Sequence, residues 1–151
     1  MMRISKKLLF ALEAVLDIAY HSGGEPVQSS EITRRQKIPK RYLEQVLQQL
    51  VRGGILTGVR GPRGGYRLAR ERRRISLGEI TRTVRTLETA QDPLQGASGS
   101  ELGHQILRPL WTELLDETMT RLDSSTIEDL CNRANTARIA REVEEKVDFT
   151  I

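Results

Sequence analysis

Residues 39–69 read PKRYLEQVLQQLVRGGILTGVRGPRGGYRLA, and the change of hydrophobic period inside this stretch decides the fold. From Pro39 to Val51 the apolar residues Leu43, Val46, Leu47 and Leu50 recur at helical spacing, with Pro39 suited to a first helical turn. The opposite face is Arg41, Glu44, Gln45, Gln48 and Arg52. Arg and Gln carry donor and acceptor pairs that match guanine and adenine edges, and Glu accepts from cytosine. Gly53-Gly54 ends the helix. Two short alternating runs follow, 55–60 and 65–69, joined by Gly61-Pro62-Arg63-Gly64. The sequence therefore predicts a hairpin directly after an amphipathic helix. Arg60, Arg63 and Arg67 lie on or beside its tip, where glycine lets backbone approach a partner and arginine suits a narrow, electronegative minor groove.

Working outward, residues 5–20 predict a buried helix capped by Ser5, with Leu8, Leu9, Leu12, Val15, Leu16 and Ala19 in its stripe, stopped by Gly23-Gly24. Ser29 or Ser30 is expected to cap a two-turn helix reaching Gln36. That short helix and the next make a helix-turn-helix, and the hairpin is its wing. After the run Arg70-Glu71-Arg72-Arg73-Arg74, Ser76 and Glu79 form a capping box and Ile75 and Ile80 a hydrophobic staple for a helix to Leu87. The arginine run reads either as a solvated turn or as a phosphate contact. Residues 88–104, with Asp92-Pro93, Gly96, Ser98, Gly99 and Ser100, read as a flexible connection. Beyond it Leu107, Leu110, Trp111, Leu114, Leu115, Met119 and Leu122 define an apolar stripe on a helix that starts near Pro109 or is kinked by it. Ser125 and Glu128 are expected to cap a last helix carrying Ile127, Leu130, Cys131, Ala134, Ile139, Val143 and Val147.

With 151 residues, two large independent domains are excluded. The division expected is 1–87 as a winged helix-turn-helix domain, 88–104 as a linker and 105–151 as a helical dimerisation region, a mainly α fold with a small β-hairpin. No apolar run approaches the roughly 18 residues of a membrane span, and no export signal is visible at the start, so the expected compartment is the cytoplasm. Residues 1–85 hold 18 of the 24 Lys and Arg but only 7 of the 20 acids, whereas residues 86–151 are net acidic. Such asymmetry points to a polyanion-binding N-terminal part joined to a part with another job. One cysteine, Cys131, allows no intrachain disulfide, and with His21 and His104 it makes no Cys-rich metal site. No nucleophile-elbow, phosphate-loop or metal motif is present, so neither catalysis, cofactor nor metal is expected.

The strings Arg41-Tyr42-Leu43-Glu44-Gln45, Val59-Arg60-Gly61-Pro62-Arg63-Gly64-Gly65-Tyr66-Arg67-Leu68-Ala69, Ile75-Ser76-Leu77-Gly78-Glu79-Ile80 and Pro109-Leu110-Trp111 resemble the IscR/NsrR/CymR family of small bacterial winged-helix transcriptional regulators. The resemblance runs from about Arg3 to Leu130. It implies a homodimer on double-stranded DNA, with the long C-terminal helix pairing across the two-fold and the first helix, through Leu8 and Leu12, packing on the other chain. It also implies that Tyr42, Glu44 and Gln45 on the recognition helix and Arg60, Gly61 and Pro62 on the wing touch DNA. Lys40, Arg41, Gln48, Arg63 and Gly64 complete the expected interface. Iron-, nitric oxide- or redox-sensing relatives hold an iron–sulfur cluster on three cysteines in the loop before the dimer helix. Residues 88–104 here contain none. The resemblance is therefore to cluster-free members, which answer to a regulatory protein, a small molecule or thiol oxidation. Cys131 reads as a small core hydrophobe or, alternatively, as a redox-active thiol. The functional expectation is a repressor on a near-palindromic operator; the rival is an interaction module whose acidic half recruits an enzyme.

Overall fold

The computed structural model describes residues 3–87 and 92–142. Helix α1 (Lys6–His21) is capped by Ser5, whose hydroxyl accepts the Leu8 N–H at 3.2 Å. Helices α2 (Ser29–Gln36) and α3 (Lys40–Arg52) form the helix-turn-helix. Strands β1 (Leu56–Val59) and β2 (Gly65–Leu68) pair antiparallel, Leu56 opposite Leu68 and Val59 opposite Gly65. Helices α4 (Leu77–Leu87), α5 (Arg108–Asp123) and α6 (Ile127–Thr136) follow. A mainly helical chain with one hairpin is the architecture expected from the sequence. No helix among the described residues is long and apolar enough to cross a membrane.

Two caps fall one residue away from the expected positions. Helix α2 is capped by Gln28, not by Ser29 or Ser30: Gln28 is extended, and its N–H donates to the Glu31 carboxylate at 2.9 Å. Helix α6 is capped by Thr126 with Asp129, not by Ser125 with Glu128; the Asp129 N–H reaches Thr126 Oγ1 at 3.1 Å and the Thr126 N–H reaches Asp129 Oδ2 at 2.9 Å. Backbone pairing fixes this register. Leu77 N–H donates to the Ser125 carbonyl and Ile127 N–H to the Ile75 carbonyl, both at 2.9 Å, so Ile127 enters the core and Thr126 is left at the helix mouth. The Ser76–Glu79 box at α4 forms as expected, with Glu79 N–H on Ser76 Oγ at 3.1 Å.

The core gathers Ala14, Val15 and Ile18 of α1, Ile32 of α2, Leu43, Val46, Leu47 and Leu50 of α3, Ile55 and Leu56, Ile75, Ile80 and Val84, and finally Ile127 and Cys131 of α6. Each large aliphatic side chain buried there contributes roughly 1.5–3 kcal/mol. Helix α6 thus closes the core built by the first 85 residues, while α5 itself contains no buried residue.

Helical winding begins at Glu101 and widens over Gly103–Leu107, where the Arg108 N–H reaches back five residues to the Gly103 carbonyl. Pro109 has no N–H and its ring crowds the carbonyl four residues back, so a wide turn just before it keeps the rod continuous into α5. The rod begins eight residues before Pro109 and is accommodated there rather than started there.

Gly78 on α4 sets how closely α5 approaches. An added Cβ would collide with the Asp123 carboxylate and lie 3.0 Å from the Asp123 backbone nitrogen. That carboxylate is clamped by Arg82 through bonds of 2.7 and 2.6 Å. Gly78→Ala is expected to lower stability by about 1–3 kcal/mol in urea unfolding. A smaller loss is expected for Arg82→Ala, which removes the clamp without forcing backbone apart.

Candidate nucleic-acid interface

Burying the Leu43, Val46, Leu47 and Leu50 stripe leaves the other face of α3 in solvent. Lys40, Arg41, Glu44, Gln45 and Gln48 are all exposed. Tyr42 is different: it is half-buried, its ring edge-on to Phe10 at 5.2 Å between centroids and 86° between planes, so it anchors α3 to α1.

Arg60, Gly61, Pro62 and Arg63 are exposed at the tip of the wing, and Gly64 is half-buried under it. The Gly64 N–H closes the turn on the Gly61 carbonyl at 2.8 Å. Gly61 has φ +110°, which a side chain would strain, and a Cβ on Gly64 would collide with the Val59 carbonyl. The hairpin base is fixed to the approach to α2, because Val27 and Tyr66 exchange both backbone hydrogen bonds at 2.8 Å. Wing and helix-turn-helix therefore form one rigid piece.

The arginine run beyond the wing is largely spoken for. Arg70 makes a two-bonded pair with Glu79 at 3.1 and 3.0 Å, Arg73 pairs with Glu71 at 2.6 Å, and Arg72 lies 3.8 Å from Glu128. Arg73 pairs within the turn, whereas Arg70 and Arg72 reach out to α4 and α6.

Sequence reasoning missed the charged cluster at the far end of α2. Asp17 and Arg35 form an ion pair almost sealed from water, with side-chain exposures of 0% and 7%. Arg35 donates to Asp17 through Nε at 3.0 Å and Nη2 at 2.8 Å, and Gln36 adds a third bond at 2.7 Å. Arg34, by contrast, is exposed and donates to Glu142 through Nη1 at 3.3 Å and Nη2 at 2.5 Å. Hydrogen bonding from Arg34 above all holds the Glu142 carboxyl down to about 2. Burial, then the Arg35 charge, depresses the His21 imidazole. The adjacent Arg34-Arg35 was the available signal, but its partners lie 18 and 108 residues away.

On α5, Leu110, Trp111 and Leu114 are exposed, joined by Leu102, Ile106 and Leu107 from the preceding turns. Leu115, Met119 and Leu122 are half-buried where α5 leans on α4. Leu8 and Leu12 of α1 are also half-buried, packed against the chain's own core.

The described part of the linker is pinned rather than open. Arg108 donates to the carbonyls of Leu94 at 3.5 Å, Gly96 at 2.6 Å, and Ser98. This segment carries no thiol, and among the described residues no three His, Cys, Asp or Glu side chains gather as a metal site. The donors do not fit an iron–sulfur cluster. Cys131 lies in the core on α6 with no exposed surface, and burial pushes its thiol up despite the nearby Arg72. A protonated, sequestered thiol is a weak nucleophile.

Comparison with known proteins agrees with this geometry. The family profile Rrf2, described as an iron-dependent transcriptional regulator, matches residues 4–133. The HTH-type transcriptional regulator IscR of Yersinia pseudotuberculosis is 34% identical over 140 residues, 92% of this chain and 85% of the relative. Among solved structures, T. potens IscR superposes with a TM-score of 0.74 at 31% identity, covering 93% of both chains. CymR, the global cysteine regulator of B. subtilis, gives 0.71 at 29% identity, covering 88% of this chain and 98% of that one.

Proposed function

The chain belongs to the Rrf2 family of transcriptional regulators, and from that premise we propose that it is a homodimeric, cytoplasmic repressor that binds a near-palindromic operator without an iron–sulfur cluster. The observation that carries this reading is the face of α3, whose Arg41, Glu44, Gln45 and Gln48 stand in solvent beside an arginine-tipped wing. No catalytic role is proposed.

Each subunit presents α3 to a major groove and its wing to the flanking minor groove. Glu44 and Gln45 set base preference through bonds to base edges, with Gln48 one turn further along. Lys40, Arg41, Arg60 and Arg63 supply attraction to phosphates or to the narrow groove. Gly61, Pro62 and Gly64 shape the tip so that backbone comes close, and Tyr42 combines its packing role with a contact at the groove edge. The exposed stripe of Leu107, Leu110, Trp111 and Leu114 pairs with a second copy, and two-fold symmetry makes the operator nearly palindromic. In domain terms, 1–87 bind DNA, 88–104 connect and 105–151 dimerise, with α6 lending Ile127 and Cys131 to the first unit. Repression follows where the operator overlaps a promoter. Without cysteines in the linker, the signal is carried by a small molecule or a regulatory protein, and the buried Cys131 acts as a packing residue.

Titrating variants against operator and random duplexes tests the division of roles. Glu44→Ala is expected to erase about 1–3 kcal/mol of discrimination at one base position, leaving random binding unchanged. Arg63→Ala is expected to weaken both duplexes alike and to reduce the slope of log affinity against log salt by about 0.9. Equal effects of both variants on both duplexes would contradict the assignment.

A further inference from the structure

Beyond the end of α6, the chain turns at Arg138, where φ is +59°, and runs back over the helix-turn-helix. Three contacts in succession hold it there. The Tyr20 hydroxyl donates to the Ile139 carbonyl, the Arg141 guanidinium lies 5.0 Å above the Tyr20 ring, and the Glu142 N–H donates to His21 Nδ1 at 2.9 Å. These contacts deliver the Glu142 carboxylate onto Arg34, with a third bond to Arg35 Nη1 at 3.3 Å. The carboxylate also borders a cavity of about 640 Å³ between α2 and the wing, together with His21, Glu25, Gln28, Glu31, Arg35 and the wing-tip Arg63, while Arg34 stands outside it in solvent.

We propose that the exposed Arg34 guanidinium is a contact for a phosphate of the operator backbone, which the Glu142 carboxylate occupies in the DNA-free protein, so that residues 137–142 act as an autoinhibitory strap. The inference rests on the DNA-binding reading above. A carboxylate and a phosphate present the same pair of acceptor oxygens to a guanidinium fork, so one can replace the other without moving the arginine. Arg35 is committed to Asp17 in the interior, whereas Arg34 is 62% exposed and is the partner able to exchange. Glu31 does not compete for this contact, because its carboxylate caps α2. Binding DNA then requires Glu142 to leave, and anything that tightens or loosens the strap shifts operator affinity.

The full chain should be compared with E142Q, R34Q and the double variant on an operator duplex and a random duplex between 50 and 200 mM salt. E142Q is expected to bind both duplexes about two- to fivefold more tightly, the scale of one exposed ion pair. R34Q is expected to bind more weakly with a salt slope smaller by about 0.9, and E142Q is expected to give a smaller gain in the R34Q background. Hydrogen exchange at the Glu142 amide, slow in the free protein, should quicken when DNA is added. Wild-type binding with E142Q unchanged or weaker, or a Glu142 amide that stays protected on DNA, overturns the strap and leaves the DNA-binding reading standing. A wild-type chain that binds no duplex overturns both.

Discussion

Replacing Trp111 with Glu is expected to leave each chain folded, to make the protein monomeric, and to lower operator affinity by about two to four orders of magnitude. Trp111 is 43% exposed, and its neighbours on the same helix surface, Leu107, Leu110 and Leu114, are between 44% and 59% exposed. An exposed apolar stripe of this kind marks a surface that meets a partner. A tryptophan near its centre is the residue type that most often dominates such contacts. The chain's own core does not depend on it, since α5 buries nothing there. A carboxylate in that position would have to shed its water against leucines, and the paired state would no longer form. Two recognition helices that bind as a linked unit would then bind singly. Sedimentation equilibrium and operator titration read the two consequences separately. A variant that remains dimeric and binds as the parent does would show that the stripe faces something other than a second copy.

Asp17→Ala acts on the fold itself and is expected to cost about 3–5 kcal/mol, a large share of the 5–15 kcal/mol typical of a domain. The carboxylate takes two bonds from Arg35 and one from Gln36 where almost no water reaches. Removing it leaves the mostly buried guanidinium with only its 3.3 Å bond to Glu142, at a cost beyond that of the lost bonds. The damage should be local to α2, because both of the partners stand in its last turn, and DNA affinity should fall with it. Asp17→Asn keeps one acceptor oxygen and should fall between. A urea midpoint unchanged in the alanine variant would mean that Arg35 finds water or another partner.

Most of the framework was legible because local chemistry carries it. The stripe of α3, the Ser5 cap of α1, the Ser76–Glu79 box and the glycine-arginine hairpin each declare themselves within a dozen residues. What was not legible depends on residues far apart in the chain. The caps of α2 and α6 shifted by one position; for α6 the cause is the backbone bonds from Ile75 and Leu77, which set the register from outside the helix. The period of α5 could not tell Leu115, Met119 and Leu122, half-buried beside α4, from Leu110 and Trp111, which face away. The Arg108 cradle of linker carbonyls left no pattern, and the adjacent Arg34-Arg35 could not show that their partners are Glu142 and Asp17, since neither contact involves a repeated spacing or a known motif. The last helix is shorter than expected: α6 ends at Thr136 and the chain turns at Arg138, so Ile139 is off the helix and exposed, while Val143 and Val147 lie outside the described residues. In the candidate interface, the type of each α3 and wing residue was enough to suggest a role. The electrostatic setting of α2 needed three dimensions.

The most direct test is a footprint of the purified full chain on the DNA upstream of its own gene, taken together with the salt dependence of binding to the protected fragment. The expected result is a two-fold symmetric protected site, its halves about 10 base pairs apart centre to centre, with log affinity falling linearly and steeply against log salt. A folded, dimeric protein that protects no site and holds no duplex even at low salt would contradict it.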